Sequence, residues 1–243
     1  MKLVNNYMNV TESKIRKEIK DIVRVASLGS LKIKKILDLG ANVGLFSLYF
    51  AEMCPDAEIH SFEPVKSTFN IFKQNVKLNK FKNIHINNLG ISSKNEQLEL
   101  GIPHNRDEEN IGLYSVLETR SNHAKAIQIG NFIKLKDYLV KNNIIGFDII
   151  KMDIEGYELI VLEDNLDLFK HSRTVYLECV EKYYFDVIKI KKILKGMGYK
   201  YVMNSYGIPI QLVQNRTLDY FGNPEGLHRG YVGTHTDNEI WRK

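Results

Sequence analysis

Residues 11 to 28 (TESKIRKEIKDIVRVASL) carry Ile15, Ile19, Ile22, Val23 and Ala26 at helical spacing with Lys and Arg between them. That spacing predicts one amphipathic helix, packed as a lid on the domain after it. From residue 33 short apolar runs alternate with helical patterns, the signature of βαβ units and a mostly parallel sheet. The predicted strands are KKILDL (34–39), EIHSFE (58–63), IHINNL (84–89), FDIIKMD (147–153), TVYLECV (174–180) and KYVMN (200–204). Between them GLFSLYFAEM, VKSTFNIFKQNVKLN, YELIVLEDNLDLF and FDVIKIKKILKGM read as helices, the last closed by Gly196 and Gly198. Residues 95–131 break this rhythm and predict a hairpin around LELGIP with a polar loop, HNRDEENIG, over one edge of the sheet. After Ser205 the pattern turns to short strands and turns, with an antiparallel strand expected near the C-terminus. No repeat or low-complexity linker divides the chain. The expected fold is therefore α/β, a doubly wound, mostly parallel sheet with helices on both faces: a helical segment over 1–31 and one domain over 32–243.

Composition changes this picture little. Lys and Arg number 34 against 29 Asp and Glu, a net charge of +5 spread along the chain, which argues against a nucleic-acid partner. The two cysteines, Cys54 and Cys179, form no CxxC or other metal spacing and are expected to be reduced thiols. Asn5, Asn6 and Asn9 interrupt the N-terminal stretch where a signal peptide needs apolar residues. No apolar run reaches the roughly 18 residues of a membrane span. A cytoplasmic location is expected.

The first predicted strand ends in Asp38-Leu39-Gly40-Ala41-Asn42-Val43-Gly44, with an apolar helix directly after it. Such a turn calls for glycine where the backbone reverses and a ligand comes close. The second strand ends in Phe62-Glu63-Pro64, which places Glu63 about 20 residues beyond the turn, where doubly wound sheets put an acid on ribose hydroxyls. The GxxxG spacing, with Asn42 where a dinucleotide site wants glycine, points to S-adenosylmethionine rather than a nicotinamide or flavin.

These two motifs and a third, Asp148-Ile149-Ile150-Lys151-Met152-Asp153-Ile154-Glu155-Gly156-Tyr157-Glu158, together resemble the FkbM-type methyltransferases over roughly residues 33 to 182. The resemblance implies a class I, Rossmann-like S-adenosylmethionine enzyme that O-methylates sugars, glycolipids or polyketide-type natural products. Carried over, it makes Asp38, Gly40, Ala41, Asn42, Gly44, Glu63, Pro64, Gly90, Ile91 and Asp153 the cofactor-binding set. Gly40 to Gly44 would face the methionine part, Asp38 would position that loop, Glu63 would hold the ribose, and Asn88 to Ser93 would lie along the adenine. The family commonly has Asp where Ser93 stands.

Ligands collect at the carboxyl ends of parallel strands, which draws attention to Asp153 and Glu178. Alternation along FDIIKMD puts Lys151 and Asp153 on one face, so Lys151 can pair with an acid there. Asp153 is the best candidate to border both cofactor and acceptor. Glu155, just before Gly156, could serve the site or cap the next helix. Methyl transfer to an alcohol needs close positioning and a route for the hydroxyl proton. Asp153 and Glu178 suit either a general base or a divalent cation such as Mg²⁺ or Mn²⁺; His228 is a further candidate base, and His235 stands near it. A small-molecule or glycan acceptor is expected, walled by the 95–131 insertion with Tyr114 and by the 205–243 segment. Two other readings stay open, an RNA ribose 2′-O-methyltransferase and a nucleotide-binding scaffold without catalysis; the fourth strand lacks the Asn/Asp-Pro-Pro-Tyr ending of adenine amino methylation.

Overall fold

Among the described residues, seven strands join edge to edge into one sheet. The computed structural model describes residues 1–3, 11–103, 124–180, 184–204 and 236–243. In chain order the elements are α1 (Thr11–Ala26), β1 (Lys35–Leu39), α2 (Leu45–Met53), β2 (Glu58–Phe62), α3 (Lys66–Asn79), β3 (Ile84–Asn87), β4 (Gly90–Ser92), β5 (Glu96–Pro103) and β6 (Ala124–Lys134). There follow α4 (Leu135–Lys141), β7 (Ile149–Met152), α5 (Glu158–Asp164), α6 (Leu166–Lys170), β8 (Thr174–Val180), α7 (Tyr184–Gly196), β9 (Lys200–Asn204) and β10 (Thr236–Arg242). The main sheet runs β3-β2-β1-β7-β8-β10-β9. Its first five strands are parallel neighbours, and β10 lies antiparallel between β8 and β9. The antiparallel strand expected near the C-terminus is thus present, and it is an interior strand.

Both faces of the sheet are covered, so its central strands are mostly apolar, with Asp38, His60, Ser61 and Lys151 as buried polar exceptions. Ile36, Ile59, Ile149 and Ile240 pack on one side with Ile19 and Ile22 of α1 and with α2 and Phe72 of α3. Leu37, Ile150, Leu177 and Trp241 pack on the other with α4, α5, α6 and α7. The first helix is seated as a lid, as its spacing predicts, with Ile19, Ile22 and Ala26 fully buried. Leu45 to Ala51 of α2 are all buried, which explains a helix apolar all round.

Three features differ from the periodicity. The expected hairpin strands, β5 and β6, reach to Lys134 and join β4 in a separate three-stranded sheet, β4-β6-β5, with β4 parallel to β6; the loop expected over the sheet edge lies outside the described residues. The single helical pattern YELIVLEDNLDLF divides at Asn165, whose side-chain amide donates to the Val161 carbonyl at 2.8 Å and so competes with the helix ladder. Helix α4, held by buried Leu135 and Leu139, fills a stretch to which the periodicity assigns no element.

Near the far edge, buried His60 on β2 stacks on His85 and holds the Tyr138 hydroxyl of α4 at 2.8 Å. Burial, with the His85 charge, lowers its pKa to about 4.

Candidate functional site

The carboxyl ends of β1, β2, β7 and β8 surround a pocket of about 260 Å³. Its polar lining comes from Gly40, Asn42, Glu63, Asp153, Glu155 and Glu178, and its apolar lining from Pro64, Leu89, Ile91, Leu100, Phe132 and Tyr157, among others.

The turn after β1 is built by backbone that only glycine adopts at ease. Gly40 has φ +75° and Gly44 +89°, and Asn42 between them has φ +53°. A Cβ on Gly40 would lie 1.9 Å from the Asp153 carbonyl oxygen, and one on Gly44 would lie 2.0 Å from the Phe72 ring. Both glycines are therefore required by the chain's own packing, before any ligand arrives. Gly40 and Ala41 donate their N–H groups to the Phe62 carbonyl, which ties the turn to the end of β2. Glu63, one residue on, accepts the Asn42 N–H at 2.9 Å and the Val65 N–H at 2.8 Å. Burial pushes its pKa up to about 7, against those two donors and the Lys151 charge.

Beneath the turn lies a buried ionic cluster. Asp38, fully buried, accepts the Ser47 hydroxyl at 2.6 Å, and Ser47 meets Ser61 at 2.7 Å. Lys151 is 1% exposed. Its Nζ lies 3.2 Å from Asp38 Oδ1 and 3.3 Å from Asp153 Oδ2, donates to the Gly40 carbonyl at 2.6 Å and stands 5.0 Å over the Phe46 ring. Burial alone would lower the Lys151 pKa; Asp153 and Asp38 more than offset it and hold the ammonium above the usual lysine range. The face shared by Lys151 and Asp153 is the one that strand alternation requires, and Lys151 pairs with two acids rather than one.

At the ends of β7 and β8, Asp153, Glu155 and Glu178 bring carboxylate oxygens within 4.8 Å of one another. Glu155 adopts φ +55°, a left-handed conformation costly for a residue with a Cβ. The N-terminal role considered for Glu155 falls to Glu158, which reaches back to accept the Ile154 N–H at 2.9 Å. Burial pushes Glu158 up to about 7. Glu178 is held well above the usual carboxylate range by burial and by Asp153, and its Oε2 has no hydrogen-bond partner.

Of the residues singled out from sequence, Gly40, Asn42, Glu63, Pro64, Gly90, Ile91, Asp153 and Glu178 line this pocket. Asp38 sits below the turn, Ala41 belongs to the core on the α2 side, and Gly44 rests against Phe72. Ser93 is exposed, and the hydroxyl that makes a bond in that stretch is Ser92, to Glu96 at 2.6 Å. His228 and His235 lie outside the described residues, as do Tyr114 and the HNRDEENIG loop. Tyr157, Leu100 and Phe132 join the pocket although no motif assigns them to it, and Glu155 joins it rather than capping a helix. Glu155 has a signal in its place two residues after Asp153; Leu100 and Phe132 come from the second sheet and have none.

The Methyltransferase FkbM domain model matches residues 38–201. Methyltransferase 1 of Beauveria bassiana (strain ARSEF 2860) is 27% identical over 184 residues, covering 68% of this chain and 71% of that protein. Methyltransferase sdnD of Sordaria araneosa is 30% identical over 152 residues; the match covers 53% of this chain and spans 59% of its relative. Among solved structures, the precorrin-6y C5,15-methyltransferase of Geobacter metallireducens GS-15 superposes with a TM-score of 0.51 at 10% identity, covering 99% of this chain and 94% of that one. The METTL16 MTase domain gives a TM-score of 0.53 at 12% identity, covering 100% and 72%. At such identities these structures speak for the class I methyltransferase fold alone. With its family model matched across both the glycine turn and the acidic strand end, the chain belongs to the FkbM methyltransferase family.

Proposed function

We propose that this S-adenosylmethionine-dependent methyltransferase acts on a hydroxyl of a sugar, glycoconjugate or related natural product. The observation that carries the proposal is the cluster of Asp153, Glu155 and Glu178 in the same pocket as Glu63. The pocket suits the cofactor: Glu63 stands at the end of β2 to accept ribose hydroxyls, and Leu89, Ile91 and Phe132 offer apolar surface for a purine. S-adenosylmethionine supplies the methyl group on a sulfonium. The chain's own part is to hold an acceptor oxygen in line and to take its proton. Glu178, its pKa raised by burial and by Asp153, is the group placed to take that proton, and Lys151 Nζ lies 3.3 Å from Asp153 beside it.

The three carboxylates also supply an oxygen set for Mg²⁺ or Mn²⁺, which would orient the acceptor hydroxyl and lower its pKa. A chelator that removes activity, with recovery on adding Mg²⁺ or Mn²⁺, favours the cation; activity indifferent to chelator leaves the carboxylate base. The test of the acceptor class is transfer of labelled methyl from S-adenosylmethionine to a panel of glycans, small hydroxylated natural products and RNA. Label in a glycan or natural-product hydroxyl, lost in Glu178→Gln but not in a surface variant, is expected. Label in RNA alone overturns the proposal.

A further inference from the structure

No Asp or Glu occurs between Glu63 and Glu96, while that stretch holds Lys66, Lys73, Lys77, Lys80, Lys82 and Lys94. Four of these fall on one line. Lys66, Lys73 and Lys77 of α3 and its C-cap Lys80 are spaced by seven, four and three residues, so they share one face of the helix over a length of about 20 Å. All four are exposed, and none has a carboxylate partner among the described residues. Some surface charges elsewhere are paired, as Arg16 is with Glu52, Lys189 with Glu163 and Arg173 with Asp148. The stripe begins next to the pocket, because Val65, which lines it, is the N-cap of α3.

We infer that this lysine stripe binds an anionic glycan chain, one carrying carboxylate, sulfate or phosphate groups, and so guides the acceptor to the pocket. The inference rests on the sugar-acceptor reading above and deepens it. Unpaired lysines at repeated intervals attract a chain of anions rather than one fixed group, since each ammonium is a point charge on a flexible stem. The aromatic rings of α3 face inward: Phe69 and Phe72 are buried, so the stripe offers no platform on which bases would stack. Leu78 is the single large apolar side chain exposed on α3, too little to anchor a membrane-surface helix. Charge without stacking or insertion fits an acidic polysaccharide.

Binding can be read without turnover, so failure here and failure of the acceptor class are distinguishable. Heparin is the probe, titrated at several salt concentrations against the full chain, against Lys73→Gln/Lys77→Gln/Lys80→Gln, and against a control of equal charge loss placed elsewhere, Lys17→Gln/Lys20→Gln/Lys192→Gln. Heparin affinity is expected to fall about tenfold or more in the stripe variant, with a shallower salt dependence, and to change little in the control. Equal weakening of both variants, or no heparin binding by the unaltered chain at low salt, overturns the inference. Tighter binding of poly(U) or of anionic lipid vesicles than of heparin, with the same sensitivity to the stripe, also overturns it by assigning the surface to another class of partner. Unchanged affinity for S-adenosylhomocysteine and unchanged thermal stability in the stripe variant establish that the fold and the cofactor pocket are intact.

Discussion

At the glycine-turn end of the pocket the acids are provided for: Glu63 receives two backbone N–H groups, and Asp38 receives Ser47 and the Lys151 ammonium. At the β7–β8 end Asp153, Glu155 and Glu178 face one another within 4.8 Å, and a Glu178 oxygen has no partner. Satisfied carboxylates stiffen a scaffold, whereas crowded ones lower stability until a proton, a cation or a substrate hydroxyl relieves them. On the function proposed above, the first end holds the cofactor and the second serves the acceptor.

The harshest way to break the scaffold end is Gly40→Ala. The added methyl meets the Asp153 carbonyl and a positive φ together, so we expect little folded protein, measured as soluble yield and loss of a cooperative thermal transition. Next comes Lys151→Met, which leaves fully buried Asp38 without its cation; a loss of about 3 to 5 kcal/mol in urea unfolding is expected. Adding Asp38→Asn to that variant removes the stranded charge and should restore much of the stability. Methyl transfer should stay low, because the tie between the turn and Asp153 is gone. If the double variant regains full activity, Lys151 serves stability alone.

The two ends should then part in sign. Asp38→Asn is expected to destabilise, while Glu178→Gln relieves repulsion and should stabilise by about 1 kcal/mol at pH 8 while cutting methyl transfer. A Glu178→Gln protein less stable than its parent would contradict the contrast. A gentler measure is pH. Glu63 and Glu158, raised to about 7, keep protons in the native state that the unfolded chain releases above about 4.5, so their contribution is present below that pH and is lost as pH rises through 7. His60 works the other way: lowered to about 4, it is neutral when native but protonated when unfolded, and it costs stability as pH falls from 6.5 towards 4. The ligand-free denaturation midpoint should therefore decline most steeply between pH 6.5 and 7, where His60 no longer opposes the two acids, and level off above 7; Glu63→Gln should flatten that decline.

Much of this is legible in the chain. Strands TVYLECV and KYVMN stand at the bounds their apolar runs suggest, and in the first of them Thr174 to Leu177 are all buried, as a strand covered on both faces requires. The lid helix follows from its spacing. The second sheet does not, since Gly90–Ser92 is three residues long and shows no period, and its place depends on the Phe132 ring lying over Gly90. Glycines in such a turn suggest room for a ligand; Gly40 and Gly44 instead make room for Asp153 and Phe72, contacts that sequence distance hides. Position alone leaves Glu155 two roles of equal standing, and the left-handed backbone that turns it towards Asp153 and Glu178 is a property of the folded turn.

The interior position of β10 has a consequence for how the protein is made. Strands β8 and β9 leave the ribosome with a gap between them, and Thr236–Arg242, synthesised tens of residues later, must slide in antiparallel to both. Until then the β8 edge presents unpaired backbone groups, and the place of Trp241 in the core stands open. Nascent chains stalled shortly before residue 236 should need chaperone protection that chains released past residue 242 do not.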